Sequence, residues 1–558
     1  MIKKMKKFDK IIFLFIAIAG VVLWQALLPG YVLSLDMIFT PEMGVMPNPD
    51  GFLNFLPVGY LLSWLCLVFP AWLVQKAVLL LLFFIIGYFA YKFLPVGDDK
   101  NIRLFSALVY LSNPFVYGRF LAGHWTHLMA YGFLPLFIYH LLALRDKHDL
   151  KSCLKFFGIL FLISLFSIHF FIMACLVFFA WALYIIIDYF YQKRFVELRI
   201  LVKNLFLTGV IFLIVSSYWL VPIFFRSTPI EERFGVEHWQ AFSAGSYKNV
   251  GTLLNTASLN GFWGERNPWA KYFLWPQDYT IFWIAFAVIV VLALIGVWDG
   301  LKNQKMRPVA MFFVVLGVLS LVLTTGAGET IFKRLNLWLY DNISFWSGFR
   351  DSQKFSGFLA LSYAVFAGLG LERVINFIAN KKPTLKNTFL SFIFIIPFFF
   401  GFLIWGGFHG QLKPVWYPDS WGEAREIIKK DVSDSRVLIL PWHGYLSLNF
   451  NNNLVTANPA RRFFGDKAVV SQSVELEDVY NQIKNQEYLD LDKVISGSTI
   501  LSPDEAINFF IGQKIRYIVY FQDLKEVDNL SYEFLSSKKL QSILTDKDLV
   551  MYEILEKN

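Results

Sequence analysis

Cysteine is nearly absent: Cys66, Cys153 and Cys175 are the only three in 558 residues, each inside or beside an apolar run and none at a paired spacing. That excludes a disulfide framework and a thiolate zinc site, and leaves the three as packing residues. Charged side chains are sparse as well, at 17% of the chain, against roughly 25% in soluble domains. The chain has no Walker lysine loop, no G-x-G-x-x-G after a strand, no serine nucleophile elbow and no H-E-x-x-H. An ATP-driven pump and a membrane zinc protease are therefore disfavoured. No small-residue cleavage site follows the basic Lys3 to Lys7 and the apolar Ile11 to Leu28, so this stretch reads as a retained first span. There is no internal repeat and no low-complexity linker.

What the chain has in excess is apolar length. It is 56% hydrophobic and 18% aromatic, with 60 Phe and 18 Trp, a composition that requires a polytopic membrane protein with lipid-facing surfaces and interfacial belts. Since a span needs about 20 apolar residues, helices are expected near 11–30, 73–94, 103–119, 128–144, 154–168, 170–190, 204–225, 279–298, 308–325, 355–378 and 388–407. Basic clusters at Lys3 to Lys7, Lys92 to Arg103, Arg145 to Lys151, Lys193 to Arg199, Lys302 to Arg307 and Lys381 to Lys386 then fall on one side. These mark the cytoplasmic loops and put the N-terminus there. The net charge of +9 is thus a topological signal rather than the mark of a nucleic-acid partner.

The short run Phe55 to Phe69, closed by Pro70, fits an interfacial or re-entrant helix on the outer face. An interfacial helix around Thr330 to Tyr340 accommodates Lys333 and Arg334 on that same side. Outer segments follow at 31–72, 121–127, 226–278 and 327–354. After 408 the composition turns polar, and helix-like stretches (Trp421 to Asp431, Pro503 to Ile511) alternate with strand-like runs (Arg436 to Leu440, Ile515 to Phe521, Leu549 to Ile554). The expected fold is a polytopic α-helical membrane domain of about eleven transmembrane helices over 1–407, followed by a small extracytoplasmic α/β domain over 408–558.

Asp36 stands where the first span gives way to the outer loop, among apolar neighbours that limit its solvation. A carboxylate there is either a solvated loop residue or a general base taking a proton from a hydroxyl that attacks a lipid-linked sugar. Glu42 and Asp50 share the loop and could assist it or bind a metal. The turn Gly118 to His127 packs Arg119, His124, Trp125 and His127 between two spans, a density of polar groups that is costly unless it serves a site. Hydrogen bonding to sugar or phosphate is the favoured use, with a structural cap as the plain alternative. Glu231, Glu232 and Arg233 open the long outer loop, in which Glu237, His238, Trp239 and Asn260 to Glu265 continue an acidic and aromatic pattern suited to carbohydrate or to any wet loop. Arg350 and Lys354 lie one helical turn apart and could jointly hold a phosphate, or simply anchor the span.

The lone Asp36 in the first outer loop, the multi-span core and the polar tail together resemble the GT-C superfamily of membrane glycosyltransferases. The pieces Asn113-Pro114-Phe115-Val116-Tyr117, Gly123-His124-Trp125, Phe349 to Phe355, Ala457-Asn458-Pro459-Ala460 and Ile515 to Tyr520 are similar to prokaryotic YfhO-like and arabinofuranosyltransferase-like membrane proteins. The resemblance implies a GT-C-like fold. It implies an inverting transfer from a polyprenyl-phosphate-linked sugar donor to a glycan, lipid or protein acceptor, with Asp36 as base. Many members of the superfamily carry paired acids in this loop, whereas Met37 follows Asp36 here. The expectation is therefore no obligate metal, with a divalent ion as the less favoured option and Arg350 with Lys354 standing in for it at the phosphate. A transporter or flippase of lipid-linked glycan, and a non-enzymatic glycan-assembly factor, are the competing readings.

Overall fold

The computed structural model describes residues 10–43, 53–225, 236–471, 486–524 and 532–555. Glu231, Glu232, Arg233 and Asp50 lie outside these residues. The chain divides into two compact units, one of Met1–Gln25, Pro47–Val58 and Ala77–Gln411, the other of Ala26–Met46, Gly59–Lys76 and Leu412–Asn558.

The first unit is helical. Where no water is available to solvate a backbone, an apolar run must satisfy its own amides, and a helix does so within one segment. Among the described residues, eight helices are long and apolar enough to cross a membrane: Lys10–Leu27, Ala71–Phe93, Trp125–Ala143, Ile168–Tyr191, Phe195–Ile223, Thr280–Lys302, Arg307–Thr324 and Ser352–Lys381. A ninth results if Leu385–Phe400 and Phe402–His409, bent by 69° at their junction, form one broken span. The protein is thus a polytopic helical membrane protein. Phe206, Leu213 and Ile214 on one of its longest helices stay exposed, as a lipid-facing surface requires.

Two of the eleven expected spans are shorter than a bilayer. The one near 103–119 is broken into Lys100–Leu111 and Pro114–Leu121, because Pro114 cannot donate to the preceding turn and Asn113 caps the new helix by accepting from the Val116 amide at 3.1 Å. The other, Leu150–Phe166, has 17 residues and ends where Ser167 caps the next helix through the Phe170 amide. Leu56–Val68 is a 13-residue apolar helix stopped before Pro70, about 20 Å long against a hydrocarbon core of about 30 Å. Lys333–Asn342 forms the short helix expected around Lys333 and Arg334.

The second unit holds a five-stranded sheet formed by β1 (Arg436–Leu440), β4 (Ala468–Val469), β5 (Ile515–Phe521), β6 (Leu540–Thr545) and β7 (Leu549–Ile554), in the order β4-β1-β5-β7-β6. Strands β4, β1 and β5 are parallel, and β7 and β6 add antiparallel. A separate hairpin pairs β2 (Tyr445–Ser447) with β3 (Val455–Ala457). Side chains alternate across the sheet. Val437 and Ile439 pack with Trp421, Ala424, Phe463 and Phe464 on one face, and Leu438 and Leu440 pack with Leu491, Val494, Ile507 and Phe510 on the other. With helices on both faces β1 is buried along almost its whole length, and so reads in sequence as the unbroken apolar run Val437 to Leu440.

Candidate active site

The segment Gly30 to Thr40 belongs to the second unit and is tied into it by isolated β-bridges, Tyr31 to Val415 and Leu35 to Thr456. Gly30 has φ +112°, and a Cβ there would stand 2.9 Å from the Val415 carbonyl oxygen, so only glycine fits. Tyr31 then exchanges backbone hydrogen bonds with Val415 at 2.7 and 2.9 Å. The Gln75 amide clamps Val32 from both sides, donating to its carbonyl at 2.7 Å and accepting from its N–H at 2.9 Å. Farther along, the Leu35 amide donates to Val455 and the Ala457 amide to Leu35, at 3.1 and 2.8 Å. The Arg462 guanidinium and the Tyr417 hydroxyl cap the carbonyls of Ile38 and Phe39, at 2.7 and 2.9 Å.

Between these anchors the chain reverses at Ser34 to Met37, closed by a 2.8 Å bond from the Met37 amide to the Ser34 carbonyl, with Leu35 at φ +39°. Every residue from Tyr31 to Thr40 is buried except Asp36. A turn whose other side chains are all anchored presents one carboxylate to solvent. The Tyr445 hydroxyl donates to Asp36 Oδ1 at 3.1 Å, and the guanidinium of Arg462 lies near enough to feel its charge. Glu42, the assisting acid of the sequence reading, turns instead to an exposed ion pair with Lys429 at 2.6 Å and with Arg425 at 3.8 Å, and the Lys429 ammonium holds its carboxyl below the usual range.

The first unit carries a second polar cluster at helix ends. Arg119, from the short helix started by Pro114, is completely buried and grips Asp351 with both terminal nitrogens, one of them at 2.8 Å. Its Nε donates to Gln353 at 2.9 Å, its Nη1 meets His124 Nδ1 at 3.2 Å, and the Phe262 ring lies 4.8 Å from the guanidinium carbon. Burial alone would raise the Asp351 carboxyl, but the Arg119 charge and hydrogen bonds outweigh it and hold the group well below the ordinary carboxylate range. The donors of Arg119 thus meet Asp351, Gln353 and His124 of the protein itself.

Beside this pair stands Lys354, half-buried, with its ammonium 3.1 Å from His169 Nε2 and 3.9 Å from Asp351 Oδ2. His169 also meets the Gly348 carbonyl at 2.9 Å. The charges sum to one net positive, Arg119 and Lys354 against Asp351. Arg350, expected to share a phosphate with Lys354, lays its guanidinium over the Phe242 ring at 4.5 Å. His127 is core: it faces Ser167 Oγ at 2.9 Å and stacks on Phe170, while Trp125 is buried edge-on to Phe55. Of the four candidate residues Arg119, His124, Trp125 and His127, His124 is the one that stays half-exposed.

The aromatic and acidic loop turns inward too. Phe262, Trp263 and Trp269 pack on one another, and the Glu265 carboxylate accepts from the Gly261 and Phe262 amides, Asn255 and Gln277, all within 3.1 Å. Burial pushes Glu265 up to about 7 against those four donors. Among the described residues no three His, Cys, Asp or Glu side chains gather as a metal site. Sequence reasoning missed Tyr445, Arg462, Gln353, His169 and the role of Asp351. Only His169, a polar residue at the start of an apolar run, carried a local signal.

No family model matches the chain, and no curated protein matches it. Among solved structures it superposes on the arabinofuranosyltransferase AftD from Mycobacteria with a TM-score of 0.65 at 12% identity, over 98% of this chain and 40% of AftD. A mutant of AftD gives 0.64 at 12% identity, over 98% and 42%. ArnT from Cupriavidus metallidurans bound to undecaprenyl phosphate gives 0.47 at 10% identity, over 98% of each chain. The chain spans about two fifths of the length of AftD. What the two share is the fold.

Proposed function

We propose that the chain is a membrane glycosyltransferase that moves a sugar, with inversion, from a polyprenyl-phosphate-linked donor to a glycan, lipid or protein acceptor on the outer face of the membrane. The N-terminus is then cytoplasmic and the C-terminal unit extracytoplasmic, as the basic clusters require. The observation that carries the reading is Asp36, the one exposed side chain of an otherwise buried, multiply anchored turn. A protein does not commit so many contacts to a merely solvated acid, and a general base must be held in place and still reach its substrate. The fold shared with AftD, itself a glycosyltransferase, supports the class.

In the reaction the acceptor hydroxyl oxygen attacks the anomeric carbon from the face opposite the phosphate. Asp36 takes the hydroxyl proton as the new C–O bond forms. The bond from the anomeric carbon to the phosphate oxygen breaks, and its electrons leave with the polyprenyl phosphate. A cation must meet the charge developing on that leaving group. Lys354, half-buried beside His169 and near the Arg119–Asp351 pair within the first unit, is kept as the phosphate-binding group the sequence suggests. Arg350 is kept as a further anchor for the lipid phosphate.

The test is transfer of radiolabelled sugar from membrane lipid to glycan in vesicles carrying wild type or Asp36→Asn at matched levels. The amide keeps the shape and removes the base, and a fall of roughly a hundredfold or more is expected. Transfer equal to wild type would overturn the reading and favour transport or glycan assembly.

A further inference from the structure

The C-terminal unit does more than follow the membrane domain: we infer that it supplies Tyr445 as the positioning residue for Asp36, so that the base works only when this unit is folded around the first loop. The inference rests on the glycosyltransferase reading of Asp36 and adds a residue that neither sequence position nor fold likeness assigns. Three observations carry it. Tyr445 donates its phenolic hydrogen to Asp36 Oδ1 at 3.1 Å across 409 residues of chain. It is the first residue of β2, and β2 pairs through β3 with the same segment that holds Leu35, so one small sheet fixes both partners of the bond. The parallel strands also place it: β1 runs directly into Pro441-Trp442-His443-Gly444-Tyr445, and the order β4-β1-β5 reverses direction at β1. In open parallel sheets the crevice at the carboxyl ends of the strands, where the order reverses, is where ligands bind.

The surroundings are built to hold this stretch still. The Asn458 amide group donates to the His443 carbonyl at 3.1 Å, and its backbone N–H donates to Gly444 at 2.8 Å. The Trp442 indole donates to Asp492 at 2.9 Å and its backbone N–H to the Tyr532 hydroxyl at 3.0 Å. Arg462, one turn into the helix after β3, braces the opposite side of the Asp36 turn through the Ile38 carbonyl. A phenol donating to one carboxylate oxygen orients the other, and so fixes the direction from which a hydroxyl proton is taken.

The experiment is steady-state sugar transfer by full-length wild type, Tyr445→Phe, Asp36→Asn and the double variant, in the same vesicles. Phenylalanine keeps the ring and removes only the donor, and equal thermal melting shows that the fold is kept. Tyr445→Phe is expected to lower kcat about tenfold with the donor KM unchanged, and to have no further effect in the Asp36→Asn background, because groups that act as a unit are not additive. If Asp36→Asn collapses while Tyr445→Phe transfers like wild type, or if the Tyr445→Phe loss multiplies onto Asp36→Asn, Tyr445 does not act through Asp36 and the inference is overturned. If Asp36→Asn itself transfers like wild type, the base assignment fails and the inference with it. Should Tyr445→Phe melt lower than wild type, Tyr445→His, which keeps a donor, replaces it: a rate between wild type and Asp36→Asn supports the inference, and a rate equal to Asp36→Asn opposes it.

Discussion

Asp351 keeps its charge inside the protein because Arg119 answers it with two hydrogen bonds in a site where water cannot. Breaking such a pair by removing one partner costs about 3–5 kcal/mol, since the remaining ion is left uncompensated. The exposed pair of Glu42 with Lys429 is worth about 1 kcal/mol or less. Arg119→Ala is therefore expected to fall in yield and to melt several degrees lower in detergent, read by thermal unfolding. The pH dependence has a definite sign. Asp351 is depressed in the folded state, so its stabilising share is complete above its ordinary value of about 4 and fades as pH falls below that. Asp351→Asn should remove that part of the acid sensitivity. In the sequence Arg119 looks like a candidate ligand for substrate and Asp351, 232 residues away, carries no assigned role; that each is the other's partner is a fact of packing.

Helix packing in the first unit depends on where a backbone can approach another backbone. Gly296 and Gly300 are spaced as small-xxx-small on Thr280–Lys302, which crosses Ser356–Lys381 at Gly370. A Cβ on Gly370 would stand 1.8 Å from the Leu292 carbonyl oxygen, and one on Gly296 would stand 1.9 Å from that of Phe366. Alanine raises intrinsic helix propensity by about 1 kcal/mol over glycine, but the overlap is with backbone, which cannot turn aside, and forcing it costs about 1–3 kcal/mol or more. Gly370→Ala is expected to be net destabilising and Gly370→Leu to prevent stable assembly, measured by melting and by monodispersity after extraction. Element boundaries were legible wherever a local rule decided them: β1, β5 and β7 fall where the apolar runs predict, and Pro503 opens its helix behind Ser502. The break at Asn113-Pro114 was equally visible in sequence, yet a hydropathy sum passes over it.

The second unit is discontinuous, taking Ala26–Met46 and Gly59–Lys76 as well as the C-terminal residues from Leu412. The chain beyond Leu412 alone leaves Val415, Val455 and Ala457 without their partners Tyr31 and Leu35, and Tyr417 and Arg462 without their carbonyls. Each buried group so orphaned costs roughly 1–3 kcal/mol, comparable in sum to the whole stability of a domain this size. A fragment of 412–558 is expected to melt well below the same fragment mixed with a peptide of residues 26–43, followed by circular dichroism. Equal melting would show that the first loop is passive in this unit.

By itself the sequence determined the membrane class and most of the sheet, because hydropathy and strand alternation are sums over neighbours in the chain. Only the tertiary structure decided what Asp36 faces, which cation stands beside Asp351, and that His127 and Trp125 are core while His124 and Lys354 keep partial access. Those outcomes depend on contacts between residues hundreds of positions apart, such as Tyr445 with Asp36. No local propensity encodes them: they follow from which residues packing brings together within each unit.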